Sequence, residues 1–384
     1  MIRPQKGTLQ VAAFSPIHRK SLLASSLRPL AQYCWFHRKR QGIGRQEETD
    51  LNNPFPFHKV LQIECPFDTG PITDVQSSAS TPDVAPAFSF LIVHYKTFEL
   101  SRAAILSIQR HAAEFHPQII VVDNHSSDGS AERLQREFPG LDFILRPNNG
   151  GYPVGCNAGA KLAVAPWLVL LNSDAELLPN TMQEAARLLG LHQNVGILGG
   201  QLLNTDLSLQ NSVQSEGGHR RFEENNQQIE LAEVSGVVGA FMMVRKGLWD
   251  SLGGMDEKFF FFFEESDLCR RAVQAGARIV WSPKVRILHH LSKSVSGLDA
   301  RLRSRIEFWK SYYHFQRKHL PPGRYPFWAM TNMARLCVNL VSHTIAILCT
   351  LGLSHSVSRR FRTYLHCMLW HLRGCPSSWG FRRD

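Results

Sequence analysis

The stretch that decides the fold reads FSFLIVHY (Phe88–Tyr95), then an amphipathic interval, then PQIIVVDN (Pro117–Asn124). Each apolar run has the length of a strand buried on both faces. In the interval between them, Ala103, Leu106, Ile108 and Ala112 recur at helical spacing, so the unit reads as β-α-β. Toward the C-terminus, SAERLQREFPG offers Ser130 as an N-cap and Pro139-Gly140 as a stop, and LDFILR follows as a strand. GCNAGAKLAVA suits a helix, and WLVLLN (Trp167–Asn172) is another buried strand. VGILGG, VVGAFMMVRK, ARIVWSP and VRILHH continue the pattern, with a helix expected from Leu268 to Ala275 before Gly276. Such alternation predicts an α/β fold built on a mostly parallel sheet flanked by helices. Ligands of such sheets bind outside the carboxyl ends of the strands. That rule singles out His94, Tyr95, Asp123, Asn124, Asn172 and Asp174.

Outside this core the composition changes. The 384-residue chain is 43% hydrophobic, which is enough for a packed core, and its formal net charge is +11. The cations crowd into the first 45 residues and the last 100, while residues 88–290 are nearly balanced. Three divisions follow: a basic, irregular extension over residues 1–86, a catalytic domain over 87–300, and a basic helical extension over 301–384. The N-terminal extension has no acidic residue before Glu47 and resembles a transit peptide or a basic arm, without the apolar core of a secretory signal. Eight cysteines with no CxxC pair fit reduced thiols and argue against a disulfide framework. MARLCVNLVSHTIAILCTLGL (Met333–Leu353) is long enough to cross a bilayer, but it carries Arg335, Asn339 and His343. An amphipathic helix at the membrane interface fits better, with Arg359, Arg360, Arg362 and Arg373 meeting anionic lipid; packing on the domain itself is the alternative.

Four segments carry candidate chemistry. LLNSDAELL places Asn172, Asp174 and Glu176 after a buried strand, where a carboxylate is costly unless it faces a polar cleft. Such an acid is suited to hold Mg²⁺ or Mn²⁺ against diphosphate, and equally to a turn. VVDNHSSDGS puts Asp123 and Asn124 at a strand end, within reach of a base or ribose, and its Ser-Asp-Gly cluster suits a helix-capping turn. PNNGGYPVGCNAG (Pro147–Gly159), with Gly151 and Asn157, lets backbone amides approach a phosphate or sugar. FFFFFEESDLCRRAVQAG gathers Glu264, Glu265 and Asp267 between aromatic rings and a helix. A carboxylate there can take a proton from an acceptor hydroxyl, and aromatic surroundings raise its pKa; an acidic helix start capped by Asp267 is the plainer reading. VRILHHLSKS ends a strand with His289 and His290, candidates for a metal shell, followed by Lys293 and Ser294 near phosphate.

In this order the segments resemble the family 2 glycosyltransferases of the GT-A fold, and within them the bacterial rhamnosyltransferase-like group. The resemblance runs from Phe88 to Ser296. VVDNHSSDGS is similar to the family's VDNxSxDGT, NNGGYPVGCNAG to NxGfaxGxNxG, LLNSDAEL to LLNPDxxL, and FFFFFEESDLCRRAVQAGARIVWSPKVRILHH to FFxYFEDvDLcxRxxxaGxxvxxxPxaxvxHh. It implies a Rossmann-like domain that transfers a sugar, with inversion, from a dTDP-rhamnose or UDP-sugar type of donor to a glycan or lipid-linked acceptor, with Mg²⁺ or Mn²⁺ as cofactor. It further implies that Tyr95, Asp123, Asn124, Gly151 and Asn157 serve the nucleotide and that Asp174 binds the metal, joined by His289 or His290. Glu265 is then the base, with Asp267 in reserve. Two departures stand out: Glu265 replaces the usual Asp, and Asn172 occupies the first acidic position of the metal motif. The expected setting is cytoplasmic, at the inner membrane face, with no nucleic-acid partner. A nucleotidyltransferase loop and a dinucleotide glycine fingerprint are both missing after the first strand. A non-catalytic nucleotide- or membrane-binding module of the same fold is the competing reading, and retention of Asp174 and the acidic cluster opposes it.

Overall fold

The computed structural model describes residues 85–214, 229–291 and 298–381. Nearly all of the expected N-terminal extension lies outside them, as do Cys34, Cys65, Lys293 and Ser294.

The β-α-β reading at the start holds. β1 (Phe88–His94), α1 (Phe98–His111) and β2 (Gln118–Asp123) are followed by α2 (Ser130–Glu137), β3 (Asp142–Leu145), α3 (Tyr152–Leu162) and β4 (Trp167–Leu171). The chain continues through β5 (Ala175–Leu177), α4 (Thr181–Leu191), β6 (Val195–Leu203), β7 (Val213–Gln214), β8 (Ala232–Glu233) and β9 (Gly236–Val237). β10 (Phe241–Arg245), α5 (Lys246–Ser251), α6 (Glu264–Gln274) and β11 (Arg278–His289) complete the sheet region. Three long helices end it: α7 (Leu298–His319), α8 (Arg324–Cys349) and α9 (His355–Leu372).

The main sheet has nine strands in the order β3-β2-β1-β4-β10-β6-β11-β5, with β8 added to β11. β1, β2, β3, β4, β6 and β11 run in one direction, and β10, β5 and β8 oppose them. The α/β, mostly parallel expectation is borne out. Successive side chains of a strand face opposite sides, so one strand feeds two cores. Phe90, Ile92, Val169 and Leu171 pack against Ile105 and Ile108 of α1 on one face. Leu91, Leu168 and Leu170 join Cys156, Trp249, Leu268 and Trp281 on the other. Each fully buried side chain of this size contributes about 1.5–3 kcal/mol.

Local details differ from expectation. Ser130 is the first helical residue of α2 and follows Gly129 at φ 77°; its amide donates to Asp128 Oδ1 at 3.1 Å instead of its hydroxyl capping the helix. The buried face of α1 is Ser101, Ala104, Ile105, Ser107 and Ile108, offset from the expected set. ARIVWSP and VRILHH form one strand, β11, whose register against β6 breaks between Ser282 and Arg286, around Pro283. α6 starts at Glu264, four residues before the expected Leu268, which moves all three acids into its first turn.

β10 decides where the site lies. It runs antiparallel between β4 and β6, so its first residue, Phe241, pairs with the last residue of β4, Leu171. The turn entering β10 therefore sits at the carboxyl ends of the parallel strands. Residues 83–384 form one compact unit, so α7 belongs to the same body as the sheet.

Candidate active site

β4 delivers Asp174. After Leu171, the Asn172 amide donates to the Ala240 carbonyl at 3.0 Å, and the Ala175 amide donates back to the Asn172 carbonyl at 3.0 Å. This tight turn presents Ser173 and Asp174. The His290 amide donates to the Asp174 carbonyl at 2.9 Å, which ties the turn to the end of β11. His289 Nε2 then lies 3.4 Å from Asp174 Oδ1, while the His290 ring is occupied by Glu176 at 2.6 Å. Of the two histidines, only His289 faces the aspartate.

Gln210 sets the chemical form of His289. Its Nε2 donates to the carbonyls of His289 at 2.6 Å and Leu203 at 3.1 Å, so its Oε1 is the group that meets His289 Nδ1 at 3.0 Å. Nδ1 must therefore carry the proton. In the neutral ring the Nε2 lone pair then points toward a carboxylate oxygen, an acceptor facing an acceptor, which is the arrangement a cation reconciles. Asp174 and His289 could supply two ligands to such a cation. Among the described residues no group of three or more His, Cys, Asp or Glu side chains is arranged to hold a metal.

The acidic cluster enters through a strained turn. Phe262 and Phe263 sit at φ 75° and 68°, a conformation costing on the order of 1–3 kcal/mol each for residues of this kind. It points Glu264 and Glu265 inward at the head of α6. Glu265 accepts from Gln214 Nε2 at 3.3 Å and lies against Gly239, where an added Cβ would stand 3.3 Å from the Glu265 Cβ. Burial raises the Glu265 pKa. Glu264 is buried, with Oε2 unpartnered among the described residues; burial, then the charge of Glu265, then that of Glu307 push its pKa well up. Asp267 behaves oppositely. Burial alone would raise its pKa, but Lys318 at 2.8 Å, Arg271 at 2.8 Å and His319 at 2.7 Å hold it below the ordinary value. It lies within α6, bonded by its amide to the Phe263 carbonyl, and is not the cap.

Two observations bring the acids together. Asp174 and Glu265 flank the same turn, since Asn172 is pinned to Ala240 and Glu265 packs on Gly239. In addition, Gln210, which holds His289, and Gln214, which holds Glu265, are the two ends of one segment that pairs with β9 through Val213 and Gln214. Even fully extended, that segment spans about 13 Å.

The nucleotide-side candidates form a neighbouring group. Asp123 is consumed locally, accepting from the Ser126 amide at 3.1 Å and from its hydroxyl. Asn124 Nδ2 donates to Asn149 Oδ1 and to the Gly151 carbonyl, both at 3.0 Å, while its buried Oδ1 has no partner among the described residues. Gly151, at φ 90°, lies so close to the Phe260 carbonyl that a Cβ would collide with it, and Tyr152 donates to that carbonyl at 2.9 Å. The Asn124 loop and the aromatic run thus abut. Tyr95 stands exposed at the end of β1 with Lys96 Nζ 5.0 Å from its ring centre. Asn157 is instead a fastener: its amide donates to the Met255 carbonyl at 2.9 Å and to Glu257 at 3.0 Å, and accepts from the Met255 amide at 2.9 Å. His94 is structural too. It is fully buried between the hydroxyls of Ser101 at 2.7 Å and Ser130 at 2.8 Å, and burial lowers its pKa.

Sequence reasoning missed Gln210, Gln214 and Gly239. Two neutral amides in LQNSVQ carry no motif, and their only signal is the i, i+4 placement that an extended segment puts on one face.

Residues 89–253 match the sequence profile described as glycosyl transferase family 2. Glu265 and His289 fall beyond the matched residues. The chain is 23% identical over 261 residues to an N-acetylglucosaminyl-diphospho-decaprenol L-rhamnosyltransferase of Mycobacterium tuberculosis, covering 60% of this chain and 85% of that one. It is 28% identical over 236 residues to the low-salt glycan biosynthesis hexosyltransferase Agl10 of Haloferax volcanii, covering 57% and 72%. An uncharacterized protein, y4gI, of Sinorhizobium fredii is 25% identical over 64% of this chain, which spans only 29% of that relative's length.

Proposed function

We propose that the chain, whose residues 89–253 match the profile of glycosyl transferase family 2, transfers a sugar, with inversion, from a nucleoside-diphosphate donor to a hydroxyl of a glycan or lipid-linked acceptor. The observation that carries the reading is the placement of Asp174 with His289 and of Glu265 on two sides of the turn at Gly239-Ala240. Glu265 takes the acceptor proton as the hydroxyl oxygen bonds to the anomeric carbon, and the bond from that carbon to the diphosphate oxygen breaks with its electron pair on the leaving group. Its burial-raised pKa suits a base that must also hold the proton it receives. Asp267, held by the cations of Lys318 and Arg271 and hydrogen-bonded to His319, is a poor base, so the reserve role expected for it passes out of the proposal.

Asp174 and His289 would hold a divalent cation, Mg²⁺ or Mn²⁺, which would offset charge on the departing diphosphate. The donor set of one carboxylate and one imidazole lone pair leaves the remaining positions to phosphate oxygens and water. The unpartnered Asn124 Oδ1 offers an acceptor to the base or ribose, and Tyr95 an exposed ring. The acceptor stands at a membrane surface on this reading, and the enzyme works at its cytoplasmic face without a nucleic-acid partner. Support comes from α8, the one helix among the described residues long and apolar enough to cross a bilayer. Its Phe327, Met330, Val338, Val341, Ile345 and Leu348 form one exposed stripe, and Arg335, Asn339 and His343 fall off it. A one-sided apolar stripe suits lying in the interface.

The test is a panel of UDP-, dTDP- and GDP-sugars with Mg²⁺ or Mn²⁺, run on the wild type and on Asp174→Ala. Turnover with at least one donor is expected, and the variant should lose about a hundredfold, on the order of 3 kcal/mol for one preorganised charged group. Equal rates in the two proteins would remove Asp174 from the metal site.

A further inference from the structure

A second concave site lies outside the catalytic cleft, where the first turns of α7 and α9 meet. It is a cavity of about 400 Å³ lined by Leu298, Arg301, His355, Ser358, Arg359 and Arg362. Three arginine side chains line it and no acidic side chain does. Among the described residues none of the three arginines has an acidic partner, unlike Arg303, which lies 3.5 Å from Asp299. Unpaired arginines bordering one hollow raise the affinity of its rim for an anion with several acceptor oxygens, because the guanidinium fork matches phosphate geometry. Both helix starts add the same sign of potential.

What lies beside the cavity selects the kind of anion. The exposed stripe of α8 ends at Leu348 and continues through Leu351 and Leu353, 85% and 80% exposed, directly to His355 on the cavity wall. An apolar surface of this extent running up to a trio of unpaired cations is complementary to a bilayer edge, with acyl chains below and phosphates above. A soluble phosphate would meet the arginines but leave the leucines in water. Nucleic acid would leave the whole stripe uncovered.

We infer that the hollow formed by Arg301, Arg359 and Arg362 is a receptor for the phosphate group of an anionic membrane phospholipid, seated while the α8 stripe and Leu351-Leu353 lie in the interface of the same leaflet. This rests on the membrane reading above and deepens it by assigning the headgroup contact to three residues. α7 also links this contact to the cleft: Ser311, ten residues after Arg301 and thus about 15 Å along the helix, donates to the Phe261 carbonyl at 2.8 Å within the aromatic run. The leaflet is thereby held at a defined distance from the acidic cluster.

The experiment is co-sedimentation of the full chain with vesicles of phosphatidylcholine alone and of phosphatidylcholine mixed with phosphatidylglycerol. The proteins compared are the wild type, the triple variant Arg301→Gln, Arg359→Gln, Arg362→Gln, and the stripe variant Val338→Asp, Ile345→Asp. Each arginine near an anionic leaflet is worth about fivefold in binding, so the triple variant should lose about a hundredfold on mixed vesicles. Its weak binding to phosphatidylcholine and its donor hydrolysis should stay unchanged, which also reports that it is folded. The stripe variant should lose binding to both vesicle types. Wild-type affinity of the triple variant for mixed vesicles would overturn the assignment while leaving the membrane reading intact. A wild-type chain that sediments with neither vesicle would overturn both.

Discussion

Replacing Gln210 with Leu removes an amide that touches neither donor nor acceptor, and the structure sets the size of the effect. Three hydrogen bonds disappear: to the His289 carbonyl at 2.6 Å, to the Leu203 carbonyl at 3.1 Å and from His289 Nδ1 at 3.0 Å. Gln210 is buried, so water does not readily replace it. At a net of about 1 kcal/mol per bond, the variant should lose about 3 kcal/mol of stability. The second consequence is specific to the site. Without Oε1 to accept from Nδ1, His289 is free to move its proton to Nε2, the nitrogen that faces Asp174 Oδ1 at 3.4 Å, and so to turn a donor instead of a lone pair toward the metal position. Loss of such an outer partner costs about 10–100-fold in metal affinity. The assay is donor turnover against Mn²⁺ concentration, beside thermal unfolding. A half-saturating Mn²⁺ concentration equal to that of the wild type, in a variant destabilised as expected, would refute the tautomer reasoning and leave Gln210 a packing residue.

Other outcomes follow from the same geometry. Glu265→Gln should retain donor binding and abolish transfer; transfer stopped instead by Asp267→Asn in a folded protein would assign the base to Asp267. Because burial places the Glu265 pKa above its ordinary 4.5, transfer should fail on the acid side at a pH above 4.5, as the base is protonated. The same shift makes folding most favoured, for this group, below pH 4.5, with that contribution lost as pH rises through the raised value; a pH-rate profile breaking at or below 4.5 would contradict it. Gly151→Ala forces a Cβ onto the Phe260 carbonyl at φ 90°, so poor folding or a clear drop in melting temperature is expected, and wild-type stability would refute the close approach.

How legible the molecule was depends on range. β1, β2 and β4 could be read because strands buried on both faces are continuous apolar runs, and Asp123 and Asp174 followed from their positions at strand ends. Asp267 shows where local reading stops. In the sequence it is one of three neighbouring acids, and what separates it from Glu265 is Lys318 and His319, some fifty residues later on a helix whose docking leaves no local mark. Asn157 looked like a ligand residue in a glycine-rich segment, but its partner is the Met255 backbone, about a hundred positions away. Gln210 and Gln214 were invisible because an uncharged amide in a polar stretch gains meaning only when the strand beside it is known.

The grip of α7 on Asp256 and Asp267 has a consequence for where this polypeptide can be cut. His314 and Lys318 meet Asp256 at 3.1 and 2.8 Å, and Lys318 and His319 meet Asp267. A polypeptide stopped at residue 300 would keep both carboxylates and lose most of the countercharge that tolerates them, with Arg271 alone left beside Asp267. The helical tail and the sheet are consequently one inheritance: a graft that swapped the former to redirect the enzyme would have to carry the basic end of α7 along.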